Sequence, residues 1–68
     1  MNHPLTHREM EIAELISFGL TEKEMANYLR ISQGTIHSHK NNLFYKTGCR
    51  NIADVTRWYI QRVSGIKL

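Results

Sequence analysis

Residues 21–46 read TEKEMANYLRISQGTIHSHKNNLFYK, and this stretch decides the fold. Thr21 is followed three residues later by Glu24, the spacing of a capping box that begins a helix. Ser32 provides another helix start after a tight turn, so helices are predicted over about 22–29 and 33–46. Two helices joined by so short a turn are typical of a helix-turn-helix unit.

A further capping signal lies upstream of this unit. Thr6 and Glu9 repeat the capping-box spacing, and hydrophobic residues flank the pair. A helix is therefore predicted over about 7–18. Gly19 ends this helix because glycine adopts the left-handed backbone conformation at no steric cost.

A fourth helix is predicted downstream of the unit. Gly48 ends the third helix, and Asn51 with Asp54 begins a helix over about 52–63. No segment alternates apolar and polar residues as a half-buried strand does. The sequence therefore predicts an all-α fold of four helices, in a single domain over residues 1–68.

Length and cysteine content narrow the class of protein. A chain of 68 residues with Cys49 as its only cysteine has no intrachain disulfide and no zinc-ligand spacing, as expected of a reduced intracellular protein. No stretch approaches the roughly 18 apolar residues of a membrane span, and the first six residues lack the apolar part of a signal peptide. We therefore expect a cytoplasmic protein with no membrane contact.

Catalytic and cofactor sites are not indicated by the sequence. His37 and His39 point to different faces of a helix, and His3 and His7 lie on either side of a helix start. Paired catalytic carboxylates and a phosphate-binding glycine loop are also missing, and the glutamates of the first helix are explained by capping and solvation. We expect no enzymatic activity, no cofactor and no metal.

Charge is distributed unevenly along the chain. Residues 1–24 contain five glutamates and two basic residues, a balance of −3, whereas residues 25–68 contain seven basic residues and one aspartate, a balance of +6. A basic side of the molecule suits a polyanion, because neutralised phosphates release counterions. The charge pattern suits a polyanion such as double-stranded DNA and a solvated basic surface equally well, on charge alone.

The third helix has one apolar stripe and one polar face. At about 100° per residue, Ile36, Leu43 and Thr47 form the stripe that faces the core. The opposite face carries hydrogen-bonding side chains and no carboxylate, as a reader of base edges requires. Its members are His37, Ser38, Asn41, Asn42 and Tyr45.

Different roles are predicted for the residues around this face. Asn41 is the best candidate for bidentate recognition of adenine, and His37 and Ser38 lie nearer the helix N-terminus, which enters the groove deepest. Lys40, Tyr45 and Lys46 are predicted to contact phosphates.

The order of residues resembles the LuxR/FixJ/GerE DNA-binding domain over nearly the whole chain. The shared pattern is Leu5-Thr6-x-x-Glu9, then Gly19-Leu20-Thr21-x-Lys23-Glu24-Met25-Ala26-x-x-Leu29-x-Ile31-Ser32-x-x-Thr35-Ile36-x-x-His39-x-x-Asn42-Leu43-x-x-Lys46-x-Gly48. The resemblance implies a four-helix helix-turn-helix bundle whose third helix recognises DNA and whose fourth helix dimerises. It implies base contacts at His37, Ser38 and Asn41, and contacts near the phosphate backbone at Lys23 and Thr35.

The fourth helix supports dimerisation independently of the resemblance. With Val55 at the centre of the core-facing side, Ile52, Tyr59 and Val63 are predicted to face the core as well. Ala53 and Ile60 lie on the back of this helix, where an apolar patch is typical of an interface. A homodimer through Ala53 and Ile60 is predicted, with lone exposure of Ile60 as the alternative.

Three departures from the family pattern keep other interpretations open. The family usually has Lys or Arg at His37 and Arg at Ile52, and an aliphatic pair at Thr47 and Cys49. One alternative is an interaction module that dimerises with another regulator without binding DNA. The promoter-binding region of a sigma factor is a rival on the turn sequence, and RNA polymerase is a further candidate partner of a regulator.

Overall fold

The computed structural model describes residues 4–65, which form four α-helices and no strand. The helices are α1 (His7–Ser17), α2 (Glu22–Leu29), α3 (Gln33–Thr47) and α4 (Ile52–Ser64). The all-α prediction is confirmed. Relative to the predicted limits, α1 ends one residue earlier, and α3 and α4 each end one residue later.

The first two helices begin with complete capping boxes. The Glu9 backbone N–H donates to Thr6 Oγ1 at 3.1 Å, and the Thr6 N–H donates to Glu9 Oε1 at 2.9 Å. The Thr21 and Glu24 pair repeats this arrangement at 3.1 Å and 2.8 Å. The two boxes satisfy backbone donors that have no partner within a helix, which explains where α1 and α2 begin.

The turn between α2 and α3 contains a left-handed residue that is not glycine. Arg30 has φ 59° and ψ 44°, and its N–H donates to the Ala26 carbonyl. Ser32 then caps α3 by accepting from the Thr35 N–H at 3.1 Å. Arg30 therefore reverses the chain within a few residues, in a conformation that most side chains avoid.

The core lies where α1 packs against both α3 and α4, while α2 packs on α3. Its buried hydrophobic residues come from all four helices and are Ile12, Ala13, Leu15, Ile16, Met25, Ala26, Ile36, Leu43 and Val55. Because α1 and α2 both pack against α3, the rotation of α3 about its axis is fixed. One long face of α3 is left in solvent.

The predicted orientation of α4 is wrong at two positions. Val55 is fully buried, but Ile52 and Val63 are 48% and 64% exposed rather than facing the core. The physical reason is that Trp58 and Tyr59 pack against the core together with Val55, which shifts the buried arc of α4 away from Ile52 and Val63.

Candidate nucleic-acid interface

The exposed face of α3 contains the three residues predicted to read bases. Ile36 and Leu43 are fully buried, as predicted, and they direct the opposite side of the helix outward. His37, Ser38 and Asn41 are all exposed on that side. Three side chains able to donate or accept hydrogen bonds therefore lie on one helix surface of a size that fits the major groove.

The exposed residues of α3 include no carboxylate, as predicted, but a carboxylate of α2 lies beside them. Glu22, at the start of α2, forms an ion pair with Lys40, and its Oε2 lies 3.2 Å from His37 Nδ1. Hydrogen bonds from Lys40 and then from His37 hold the pKa of the Glu22 carboxyl below its ordinary value of 4.5. Glu22 was missed because it belongs to a different helix from the face it adjoins.

Lys40 lies closer to the protein than its predicted phosphate contact suggested. Its side chain is only 20% exposed, and it is turned toward Glu22. Helical periodicity could have predicted this low exposure, since Lys40 lies only about 40° around the helix from buried Ile36. The phosphate contact stays a prediction, and the structure gives this lysine a protein partner.

Lys46 is also held by a carboxylate of the protein. Its Nζ lies 2.8 Å from Oε1 of Glu9, and Glu9 is only 3% exposed. Burial opposes ionisation of Glu9, but the hydrogen bonds from Lys46 and Thr6 and the Lys46 charge outweigh it, so the pKa lies below 4.5. Glu9 forms the predicted capping box with Thr6, and it also has a tertiary role that the sequence did not indicate, since its carboxylate is buried and bound to Lys46.

The other predicted backbone-contacting residues are exposed on α2 and α3. Lys23 is exposed in the first turn of α2, and Tyr45 is 76% exposed on α3. The Thr35 hydroxyl lies 2.8 Å from Ser32 Oγ at the start of α3. Exposure leaves all three able to contact DNA, and these contacts stay predictions.

The outer side of α4 presents a broader apolar surface than the sequence predicted. Ala53 and Ile60 are exposed, and exposed Ile52 and Val63 extend the same side of the helix. We call these four residues the α4 stripe. The stripe lies at about 60° to 160° from buried Val55 around the helix axis, with the half-buried Thr56 between its members at about 100°.

Two other features are absent from the described part of the chain. Within residues 4–65, none of the helices combines the length and the hydrophobicity that crossing a bilayer requires. The same residues contain no group of three or more His, Cys, Asp or Glu side chains placed to hold a metal ion. The prediction that His3 and His7 lie on either side of a helix start involves His3, which is outside the described residues.

Comparison with known proteins assigns the domain. The model of the family "Bacterial regulatory proteins, luxR family" matches residues 3–59. The chain belongs to the luxR family. It is a helix-turn-helix DNA-binding domain of the kind found in transcriptional regulators, and the luxR family is not enzymatic.

Regulators from distant bacteria are similar to this luxR-family domain. "Transcriptional regulatory protein UhpA" of Escherichia coli (strain K12) is 41% identical over 54 residues, which cover 79% of this chain and 28% of that protein. "CsgBAC operon transcriptional regulatory protein" of the same strain is 39% identical over 79% of this chain and 25% of its own length. "Transcriptional regulatory protein LnrK" of Bacillus subtilis (strain 168) is 38% identical over 69% of this chain and 21% of its own length. None of the solved structures matches the chain.

The chain spans about a quarter of the length of these curated relatives. The matched part is the luxR-family domain itself, so family membership rests on most of this chain. Functions that the longer relatives perform through their other regions are not assigned to this chain.

Proposed function

We propose that this domain binds a specific DNA sequence by placing α3 in the major groove. His37, Ser38 and Asn41 contact base edges in this proposal, and Asn41 pairs with adenine N6 and N7. The observation that carries it is the exposed polar face of α3, whose direction is set by fully buried Ile36 and Leu43.

Backbone contacts accompany the base contacts in this proposal. Lys23, Thr35 and Tyr45 contact phosphates and sugars from exposed positions on α2 and α3. The ammonium groups of Lys40 and Lys46 remain paired with glutamates, which largely neutralise their charge. Their effect on affinity is therefore smaller than that of a lysine whose ammonium group binds a phosphate directly.

We further propose that two copies pair through the α4 stripe. A dimer places two α3 helices in successive major grooves, about 10 base pairs apart, on a partly palindromic site. The support is the α4 stripe, in which Ile52, Ala53, Ile60 and Val63 expose apolar side chains on one side of the helix. Burying this stripe removes apolar surface from water and leaves both recognition helices in solvent.

The experiment that tests specific binding is fluorescence anisotropy with random-sequence duplex DNA at low and physiological salt, followed by selection of bound sequences. Salt-sensitive binding that enriches a two-fold symmetric site supports the proposal. Enrichment of single, unpaired half-sites contradicts the dimeric arrangement.

The Ile60→Glu variant tests the dimer directly, since it puts a charge in the centre of the α4 stripe. We expect a monomer in analytical ultracentrifugation and at least about tenfold weaker binding to the symmetric site, with an unchanged circular dichroism spectrum. Tyr28→Glu is the matched control, because Tyr28 is 70% exposed on α2, outside the α4 stripe. Equal effects of the two variants would reject the α4 interface.

A second candidate function is an interaction module that pairs with another regulator without binding DNA. The observation in its favour is that Lys40, Lys46 and His37 each contact a carboxylate of the protein itself. This candidate predicts heterodimers and negligible DNA affinity even at low salt. The anisotropy experiment separates it from the first.

Two further parts of the proposal concern cellular context. We place the protein in the cytoplasm, where a bacterial regulator meets its operator, and we include RNA polymerase as a partner if the bound sites are activated. Transcription from a selected site with purified polymerase, with and without the protein, tests the second point.

A further inference from the structure

We infer that Glu22 is a specificity-determining residue, because it fixes which nitrogen of His37 carries the proton and so which base the other nitrogen accepts. The inference rests on the proposed function, since it concerns how α3 reads DNA. The residues involved are Glu22, His37 and Lys40, which we call the Glu22 cluster.

The geometry of the Glu22 cluster places the two ring nitrogens of His37 in different surroundings. Nδ1 lies 3.2 Å from Glu22 Oε2, within hydrogen-bonding distance. Nε2 lies across the imidazole ring from Nδ1, and the His37 side chain is 59% exposed on the outer face of α3. One nitrogen therefore faces a carboxylate, and the other is available to DNA.

Glu22 remains ionised at neutral pH and can only accept hydrogen bonds. Lys40 and His37 both contact its Oε2, and they hold its pKa below the ordinary value. The nitrogen of His37 that faces this carboxylate is therefore the protonated one. In neutral His37, Nε2 has no hydrogen and acts as an acceptor.

This tautomer has a direct consequence for base recognition. An acceptor at Nε2 pairs with the exocyclic amino group of cytosine or adenine in the major groove. In the other neutral tautomer Nε2 carries the hydrogen and pairs with guanine N7 or O6 instead. The tautomer that Glu22 selects therefore decides which base is preferred at one position of the operator.

The other ionisable groups near α3 leave this assignment intact. Lys40, on α3 itself, contacts the same Glu22 oxygen. On α1, Glu9 is bound to Lys46, and Glu14 accepts a hydrogen bond from Tyr59. The remaining acidic residue of α1, Glu11, lies near His7 and Arg8. Among the described residues, Glu22 is thus the carboxylate in contact with His37.

The first test reads the tautomer without DNA. Nitrogen-15 chemical shifts of the His37 ring are measured at about pH 8, above the titration range of an ordinary histidine. We expect the Nδ1–H form in the wild type and loss of that preference in Glu22→Gln. Glu11→Gln is the matched control, since it removes the same charge from α1 without touching His37. An Nε2–H form in the wild type overturns the inference.

The second test reads base preference. Sequences are selected at about pH 8 with the wild type, Glu22→Gln, Glu11→Gln and His37→Ala. We expect the wild type to prefer cytosine or adenine over guanine at one position by about tenfold in affinity. This preference should be lost in His37→Ala, weaken in Glu22→Gln and persist in Glu11→Gln.

The two ways of failing are distinguishable. If the wild type binds specific DNA but its base preference is unchanged in Glu22→Gln, the inference is overturned and the proposed function stands. If the wild type binds no duplex at any salt concentration, the proposed function fails and the inference falls with it.

Discussion

Two regions of α3, its middle and its C-terminal end, are held by ion pairs of the same chemistry in different surroundings. At the C-terminal end, Lys46 contacts Glu9, a carboxylate only 3% exposed beneath α3. In the middle, Lys40 contacts Glu22, whose side chain is 30% exposed and also contacts His37. An ion pair with a buried carboxylate fixes a helix, whereas one at the surface beside a polar face adjusts what that face presents.

Removing the lysine of each ion pair in turn should give the largest expected difference, and this difference is in the free energy of unfolding. Lys46→Met leaves the Glu9 carboxylate buried without its cation, and we expect the free energy of unfolding to fall by roughly 1 to 3 kcal/mol. Lys40→Met is the matched variant, and we expect a loss below about 1 kcal/mol because Glu22 retains water. Urea denaturation at neutral pH measures both. Equal losses would mean that burial does not separate the two pairs.

Acid should act more strongly on the buried pair. The pKa of Glu9 is lowered on folding, so its contribution to stability is complete above about 4.5 and is lost as the pH falls through its folded value. We expect Glu9→Gln to flatten the fall in stability below that pH, relative to the wild type. Urea midpoints measured between about pH 3 and pH 6 provide the comparison. If the stability of Glu9→Gln fell in acid as steeply as that of the wild type, the acid sensitivity would belong to other carboxyl groups.

The polar face of α3 should control specificity rather than stability. Asn41→Ala is expected to reduce discrimination at one base position about tenfold, the effect of losing a bidentate contact to adenine. Asn27→Ala, which removes an exposed asparagine from α2, is the control. Competition binding with single-base variants of the selected site measures the effect. Uniform weakening on all sequences would instead assign Asn41 to the phosphate backbone.

The smallest expected effect belongs to an exposed lysine near the same face. Lys23→Ala should weaken binding to all sequences alike and lower the salt dependence by about one released counterion. Lys46→Met, measured under conditions where it is fully folded, should leave that slope nearly unchanged because Glu9 already neutralises Lys46. Anisotropy titrations over a range of salt concentrations test both. A larger slope change for Lys46 would show that DNA displaces Glu9 from this lysine.

Local signals made most of the fold predictable. Capping depends on residues three apart, so the hydroxyls of Thr6, Thr21 and Ser32 mark their helix starts without tertiary information. The rotation of α3 followed from the spacing of Ile36 and Leu43. The exposed side of α4 was mispredicted because Trp58 and Tyr59, rather than helical periodicity about Val55 alone, set its buried arc.

The candidate site was less predictable, for a physical reason. His37, Ser38 and Asn41 share one helix, and periodicity is enough to place them together. Glu22 and Glu9 act on α3 from other helices, 15 and 37 residues away from the histidine and lysine that they contact. Sequence spacing within one helix contains no information about such pairs, so their effect on the site appears only when the helices are packed.

The left-handed turn at Arg30 limits which sequences can replace this one. A β-branched side chain at φ 59° would clash with the backbone, whereas glycine, asparagine and aspartate adopt that region more readily. In a library with every amino acid at residue 30, the variants that fold should therefore be those whose residue tolerates a positive φ, whatever its charge. The conformation of this one turn therefore decides which mutations of Arg30 can persist during evolution. Substitutions by β-branched residues are lost, whereas uncharged residues that adopt the left-handed conformation are retained.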